Sequence, residues 1–192
     1  IKFNMKKLNE YILENYPQYW GIQHYPKDKV AKIHKITEPL GILSNFGHTN
    51  IIIGDKSFNT TERLYQMLKF NTTEAQKIIY NVKGNPKMTT KHLQKTRPEM
   101  IRENWGEIFI DVMKWCLYLK YQQDKEFLRV LQETKELFII EDQTTFVGKN
   151  ANCWGVKLKD NEYVGPNLLG RLLMELRDNP IECKTFENLI LI

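Results

Sequence analysis

The chain has 192 residues, is 42% hydrophobic and 27% charged, and carries 28 Lys/Arg against 23 Asp/Glu for a net charge of +5. That is the composition of a globular chain with one sizeable core, and no apolar run is long enough to cross a bilayer as a helix. Three widely spaced cysteines (Cys116, Cys153, Cys183), no C-x-x-C and no histidine pair at i,i+4 exclude a structural zinc site; they suit reduced thiols and a cytoplasmic protein. The charge is uneven. Residues 1–100 hold 16 Lys/Arg and 8 Asp/Glu, a surplus of 8, whereas residues 101–192 hold 12 and 15.

Met5 is expected to be a translation start, with residues 1–4 not native, and the following polar, periodic stretch is no secretory leader. Leu8, Tyr11, Ile12 and Asn15 fall at helical spacing and predict a short amphipathic helix over 5–16. Pro17 and Pro26 bracket an aromatic loop with Tyr16, Tyr19, Trp20 and Tyr25. Val30 to Ile36 alternates and reads as a strand, and Asn50 to Asp55 as a short buried strand with a turn. Helices are predicted over 60–70 and 73–82. The longest runs roughly over 99–122, where Ile101, Trp105, Phe109, Val112, Met113, Cys116 and Leu117 form a wide apolar stripe. Asp124 to Glu136 predicts another helix, Leu137 to Ile140 and Cys153 to Leu158 predict strands, and Gly165-Pro166-Asn167 introduces a last helix to Arg177, ended at Asp178-Asn179-Pro180. Strands are few, short and not regularly interleaved with helices. The fold class is therefore α+β, a helix-rich single domain.

Two features bear on function. On the 60–70 helix, Glu62, Gln66 and Lys69 stand at i, i+4 and i+7 on one face, opposite Leu64, Met67 and Leu68. A carboxylate, an amide and an amine on one rigid element are the makings of a site, flanked by Tyr65 and Phe70 as desolvating aromatics. The plainer alternative is a capping box, with Asn59 as N-cap and Glu62 at N3. The second feature is the stretch 77–102, where Lys77, Lys83, Lys87, Lys91, Lys95, Arg97 and Arg102 face only Glu99. It is either a solvated face or a phosphate-contacting surface.

Several blocks, in order, are similar to a known pattern. They are Gly41-x-Leu43-Ser44-Asn45-Phe46; Thr61-Glu62-x-x-Tyr65-Gln66-x-x-Lys69-Phe70; Trp105 with Val112-Met113; Glu141; Trp154-Gly155; and Gly165-x-Asn167-x-Leu169-Gly170-Arg171-Leu172-Leu173-Met174-x-Leu176-Arg177. Over roughly 41–177 the chain resembles the NADAR/YbiA-like family. The expected organisation is an N-terminal extension, 1–40, packed on a YbiA-like domain, 41–192.

The resemblance implies a hydrolase of N-glycosidic bonds that join ribose C1 to an exocyclic amine. Three readings follow in order. The first removes ADP-ribose from modified guanine in nucleic acid, as in toxin–antitoxin or phage-defence systems. The second destroys phosphoribosyl-amino pyrimidine intermediates of riboflavin synthesis. The third is a non-catalytic ADP-ribose binding module. The partners would be ADP-ribosylated nucleic acid or a ribosyl-phosphate small molecule, with no cofactor, metal or membrane, and the chain acting as a monomer.

By the same resemblance Lys69 would attack C1 and Glu62 would move the protons, through a Schiff base or, if Lys69 only stabilises charge, an oxocarbenium route. Substrate would be held by Ser44, Asn45, Gln66, Trp105, Asn152, Trp154, Gly155, Gly165, Asn167 and Arg171. Asn167 would offer a helix start to phosphate, Trp105 and Trp154 could stack on a base, and Gly165 and Gly170 would allow close backbone approach. Lys83, Lys87, Lys91, Lys95 and Arg97 would meet nucleic acid. The segment Asn150-Ala151-Asn152-Cys153-Trp154 departs from relatives that carry an Asp before Trp-Gly. Asn152 cannot act as a base. Either that Asp is not essential, or Glu141 or Asp142 substitutes, or activity is reduced.

Overall fold

A computed structural model describes the backbone from residue 5 and the side chains from residue 10. The readings of residues 1–4 and of the Leu8 side chain lie outside the described residues. The chain divides into two compact units.

The first unit comprises His48–Lys125 and Glu182–Ile192. It opens with an antiparallel hairpin, β3 (Ile51–Ile53) and β4 (Lys56–Phe58), in the register Ile51↔Phe58. Gly54 turns it at φ +58, a conformation that a side chain would strain. Four helices follow: α2 (Thr61–Leu68), α3 (Thr73–Asn81), α4 (Pro86–Thr96) and α5 (Trp105–Gln123). The N-cap of α2 is Thr60, whose hydroxyl accepts from the Arg63 N–H, so the capping box expected at Asn59 does not form. Asn59 instead accepts from Arg63 Nε, and Arg63 Nη1 donates to the carbonyls of Ile79, Tyr80 and Val82 at the end of α3. The predicted helix over 99–122 begins only at Trp105. Residues 98–100 form a 3-10 turn, and Ile101 bridges Phe70 as a strand partner would.

The second unit comprises the chain up to Gly47 together with Glu126–Ile181. It holds α1 (Met5–Asn15), α6 (Lys125–Glu133) and α7 (Leu168–Asp178). A three-stranded antiparallel sheet runs in the order β1 (Gln23–Pro26), β7 (Glu162–Gly165), β6 (Lys157–Lys159). Beside it β2 (Val30–Ile33) pairs in parallel with β5 (Phe138–Glu141). Strand β1 lies in the segment read as an aromatic loop. It is an edge strand ending in proline, which only an edge tolerates. The predicted strand Cys153 to Leu158 shrinks to β6 because residues 153–155 do another job, described below.

Tyr25, Ile140, Val156 and Tyr163 form a buried cluster. Helix α7 lies so close on β5 that a Cβ at Gly170 would sit 2.1 Å from the Ile139 carbonyl oxygen. The α+β, helix-rich class holds throughout.

Candidate active site

The first unit brings Glu62, Gln66, Lys69, Lys87 and Trp105 into one electrostatic cluster. Helix α2 buries both its faces. Leu64, Met67 and Leu68 are fully enclosed, and Glu62 and Gln66 retain only 4% and 7% exposure. The polar face is thus a buried polar layer rather than a solvated one. Gln66 Nε2 donates to Glu62 Oε1 at 2.8 Å, the i,i+4 contact the spacing suggested. Gln66 Oε1 is buried and accepts nothing from the described residues, as are the hydroxyls of Thr61 and Thr90. An unsatisfied buried acceptor is costly, and such groups mark places where a ligand supplies the missing donor.

Lys69 follows α2 in helical conformation, with its amine 5.9 Å from the centroid of the Trp105 ring. Trp105 is itself buried and packs on Tyr65, with ring centroids 5.2 Å apart. The desolvating pair is therefore Tyr65 and Trp105, while Phe70 lies in the core. Burial lowers the Lys69 pKa to about 8; the Glu62 carboxylate opposes this and the positive charge of Lys87 adds to it. Burial raises Glu62 above the ordinary carboxylate range. Lys87 pulls it back most strongly, then the Gln66 hydrogen bond, then Lys69. A buried carboxylate thus feels the charges of two lysines, with desolvation pushing acid and amine towards their neutral forms.

Lys87 was expected on a nucleic-acid surface. It stands half-buried on α4, beside the buried face of Pro86, Thr90 and Leu93, and its charge acts on both Glu62 and Lys69. The 86/90/93 step in the sequence was the signal that could have shown this. Arg97 is ion-paired with Glu99 at 2.7 Å and Glu74 at 3.7 Å. Lys83, Lys91 and Lys95 are exposed. Arg102, the last cation of the stretch, is drawn inward onto carbonyl oxygens.

The remaining predicted residues belong to the second unit. Ser44 and Asn45 are buried; Ser44 Oγ accepts from the Phe46 N–H in a local turn, and Asn45 Oδ1 is enclosed with no partner among the described residues. Asn152 lies on the wall of a cavity of about 710 Å³, together with Trp20, Cys153 and Gly165. Its Oδ1 accepts from Gln143 Nε2 and from the N–H of half-buried Trp154. Gly155 and Gly165 do give close approach, to the chain itself: a Cβ on either would fall 2.5 Å from the carbonyl oxygen of Glu141 or of Gly155. Arg171 donates to the carbonyls of Gln18, Trp20 and Gly21 and so pins the loop after α1.

The phosphate-seeking helix start at Asn167 is corrected. The N–H groups of Asn167, Leu168 and Leu169 donate to the carbonyls of Gly155, Cys153 and Trp154, which is why residues 153–155 are not strand. Asn167 is fully buried at φ +55, with Nδ2 on the Ile139 carbonyl and Oδ1 on the Glu141 N–H. These three backbone donors are thus engaged within the chain. Asp142 Oδ1 accepts from both the N–H and the hydroxyl of Thr144. Among the described residues no group of three His, Cys, Asp or Glu could hold a metal ion, and no helix is long and apolar enough to cross a membrane.

The comparisons with known proteins agree with this architecture. The chain is 29% identical to N-glycosidase YbiA of Escherichia coli (strain K12) over 157 residues, 82% of this chain and 92% of that protein. It is 27% identical over 161 residues to the chloroplastic riboflavin biosynthesis protein PYRR of Zea mays, covering 77% of this chain and 25% of that one. The NMR structure of E. coli YbiA superposes with a TM-score of 0.64 at 28% identity, covering 82% of this chain and 88% of that one. The NADAR domain matches residues 33–179, from the end of β2 to the end of α7, and the chain belongs to that family.

Proposed function

We propose that this chain is an N-glycosidase that hydrolyses the bond between ribose C1 and the exocyclic amine of a modified guanine, releasing ADP-ribose, with Lys69 as nucleophile and Glu62 as proton carrier. One observation carries the reading. Glu62 is buried under the influence of the charges of Lys69 and Lys87, and Lys69 has its pKa brought down to about 8. A neutral amine exists near physiological pH only when burial or a neighbouring cation supplies it, and both do so here. The relatives named N-glycosidase support the bond class.

The steps use groups on the page. Glu62 begins protonated and gives its proton to the departing nitrogen or the ring oxygen. The neutral Lys69 amine bonds to C1, and the bonds from C1 to the departing nitrogen and to the ring oxygen break in turn. The leaving atom that Glu62 has not yet protonated takes the proton that Glu62 relays from the new Lys69–C1 ammonium, so the amine leaves and the opened ribose is held as an iminium. Water adds to C1, Glu62 takes its proton, and collapse of the carbinolamine returns Lys69 and an aldehyde sugar. The unpartnered carbonyl of Gln66, on the same helix as Glu62, is an acceptor suited to a ribose hydroxyl. Exposed Lys83, Lys91 and Lys95 support a polyanionic substrate, whose modified base must lie outside a duplex stack.

The second reading, a glycosidase of phosphoribosyl-amino pyrimidines, is favoured by the relative named for riboflavin biosynthesis. Incubation with ADP-ribosylated single-stranded DNA and, separately, with the pyrimidine intermediates distinguishes the two. Release of unmodified DNA, abolished in Lys69→Ala and Glu62→Ala, is expected. Release from the pyrimidines alone would replace the first reading by the second. Binding of ADP-ribose without turnover of either would establish a binding module.

A further inference from the structure

Arg102 closes the basic stretch, yet the hydrogen bonds that it donates go to backbone carbonyls. Its Nε donates to the Leu68 carbonyl at 2.8 Å, its backbone N–H to the Lys69 carbonyl at 3.0 Å, and its Nη2 to the Leu189 carbonyl at 2.7 Å. The next carbonyl, of Phe70, is taken by Gln76 Nε2 at 2.9 Å. Gln76 is fully buried, and the same nitrogen reaches the Leu189 carbonyl at 2.8 Å while Gln76 Oε1 accepts from the Leu191 N–H at 2.8 Å. The three consecutive carbonyls at the end of α2, those of Leu68, Lys69 and Phe70, are therefore held by two residues, Arg102 through its side chain and its backbone N–H and Gln76 through its side chain. Both of these side chains also grip one carbonyl of the segment ending the chain.

A helix end leaves its last carbonyls without intrahelical partners and carries a partial negative charge. A guanidinium fork suits it because its donors diverge in a fixed plane. Capping alone would need no contact with Leu189. The shared Leu189 carbonyl turns a cap into a brace, tying the backbone from which Lys69 projects to α3, to the turn before α5 and to the segment around Leu189.

We propose that Arg102, with Gln76 and the Leu189 carbonyl, is the positioning brace of Lys69: it fixes the backbone that aims the amine along Trp105 towards Glu62. This rests on Lys69 being the reacting amine, and it adds to that reading a residue that touches no substrate.

The test uses the full chain and two readouts. The first is NMR titration of the Lys69 side chain without substrate, which holds whether or not Lys69 proves to be a nucleophile. Wild type should titrate near the value of about 8 that its burial sets. In Arg102→Ala the titration should move up towards that of an ordinary lysine, and added guanidinium at non-denaturing concentration should bring it back. The second readout is turnover of the ribosyl substrate. Here kcat should fall about 100-fold, as for a misplaced reacting group, with KM nearly unchanged. Arg102→Lys should recover little, because an ammonium cannot span the carbonyls of Leu68 and Leu189 together. If Arg102→Ala does not fold, Gln76→Leu carries the same test. An unmoved Lys69 titration in a folded variant, or a loss confined to KM, overturns the proposal. If Lys69 moves as expected but forms no adduct with substrate in wild type, the brace stands and the nucleophile assignment falls.

Discussion

Lys87→Gln should move the titration of the reacting amine, Lys69, to higher pH. The starting point is the Lys69 pKa of about 8 against lysine's ordinary 10.5. At pH 7 about a tenth of such an amine is neutral, against about three in ten thousand for an ordinary lysine, a gain of about 300-fold or about 3.4 kcal/mol. Burial supplies most of this, and Lys87 adds to it by disfavouring a second positive charge. Removing Lys87 therefore raises the Lys69 pKa. It also removes the strongest influence keeping the Glu62 carboxyl down, so Glu62 rises too. Neutral Lys69 is then scarcer at pH 7, by tenfold for about every 1.4 kcal/mol of repulsion removed. The rate at which an amine-reactive reagent labels Lys69, measured from about pH 6 to about pH 10, should rise through a limb centred near 8 in wild type and later in Lys87→Gln, while Lys87→Arg keeps the wild-type limb. A Lys87→Gln profile that falls uniformly, with its limb unmoved, would refute the electrostatic role and leave Lys87 a binding residue.

Three further outcomes follow from the same geometry. Lys69→Met should raise stability at neutral pH by about 2 kcal/mol while abolishing release, because a lysine held at about 8 carries a folding cost below that pH. The unfolded chain holds the extra proton between about 8 and 10.5, so wild-type stability should rise with pH through that window, and the variant should show no such rise in urea unfolding. Asn167→Ala should destabilise by about 3 kcal/mol, since it strips partners from the Ile139 carbonyl and the Glu141 N–H and places alanine at positive φ; a shift in the urea midpoint measures it, and a change in substrate binding alone would restore the ligand role. Replacing Lys83, Lys91 and Lys95 together by Gln should weaken binding of ADP-ribosylated DNA, flatten its salt dependence and leave a mononucleotide-sized substrate unaffected.

The sequence made most helices legible because each buries one face, and the apolar steps of α2, α3, α5 and α7 report that directly. It showed Glu62, Gln66 and Lys69 on one side of a helix. It could not show that this side is buried too, since the cover comes from α4 and Trp105, brought in by contacts distant along the chain. The same nonlocality hid Lys87 and Arg102 inside a run of cations. Charge density reads alike whether a lysine faces water or a carboxylate, and only the burial of Pro86, Thr90 and Leu93 separates Lys87 from Lys83. Asn167 misled for the opposite reason. A Gly-Pro-Asn helix start has donors to offer a phosphate only if the chain does not use them, and here residues 153–155 do. Strands β1 and β7 pair with each other across more than a hundred residues, a partnership that local alternation in four-residue segments cannot reveal.

The central claim is that Lys69 bonds to ribose C1. The most direct measurement is reduction with cyanoborohydride during turnover of ADP-ribosylated single-stranded DNA, followed by peptide mass spectrometry. The account predicts one ADP-ribosyl adduct, on Lys69, absent in Lys69→Arg and without the DNA. Full turnover with no adduct on Lys69, or an adduct on Lys87 instead, would contradict it.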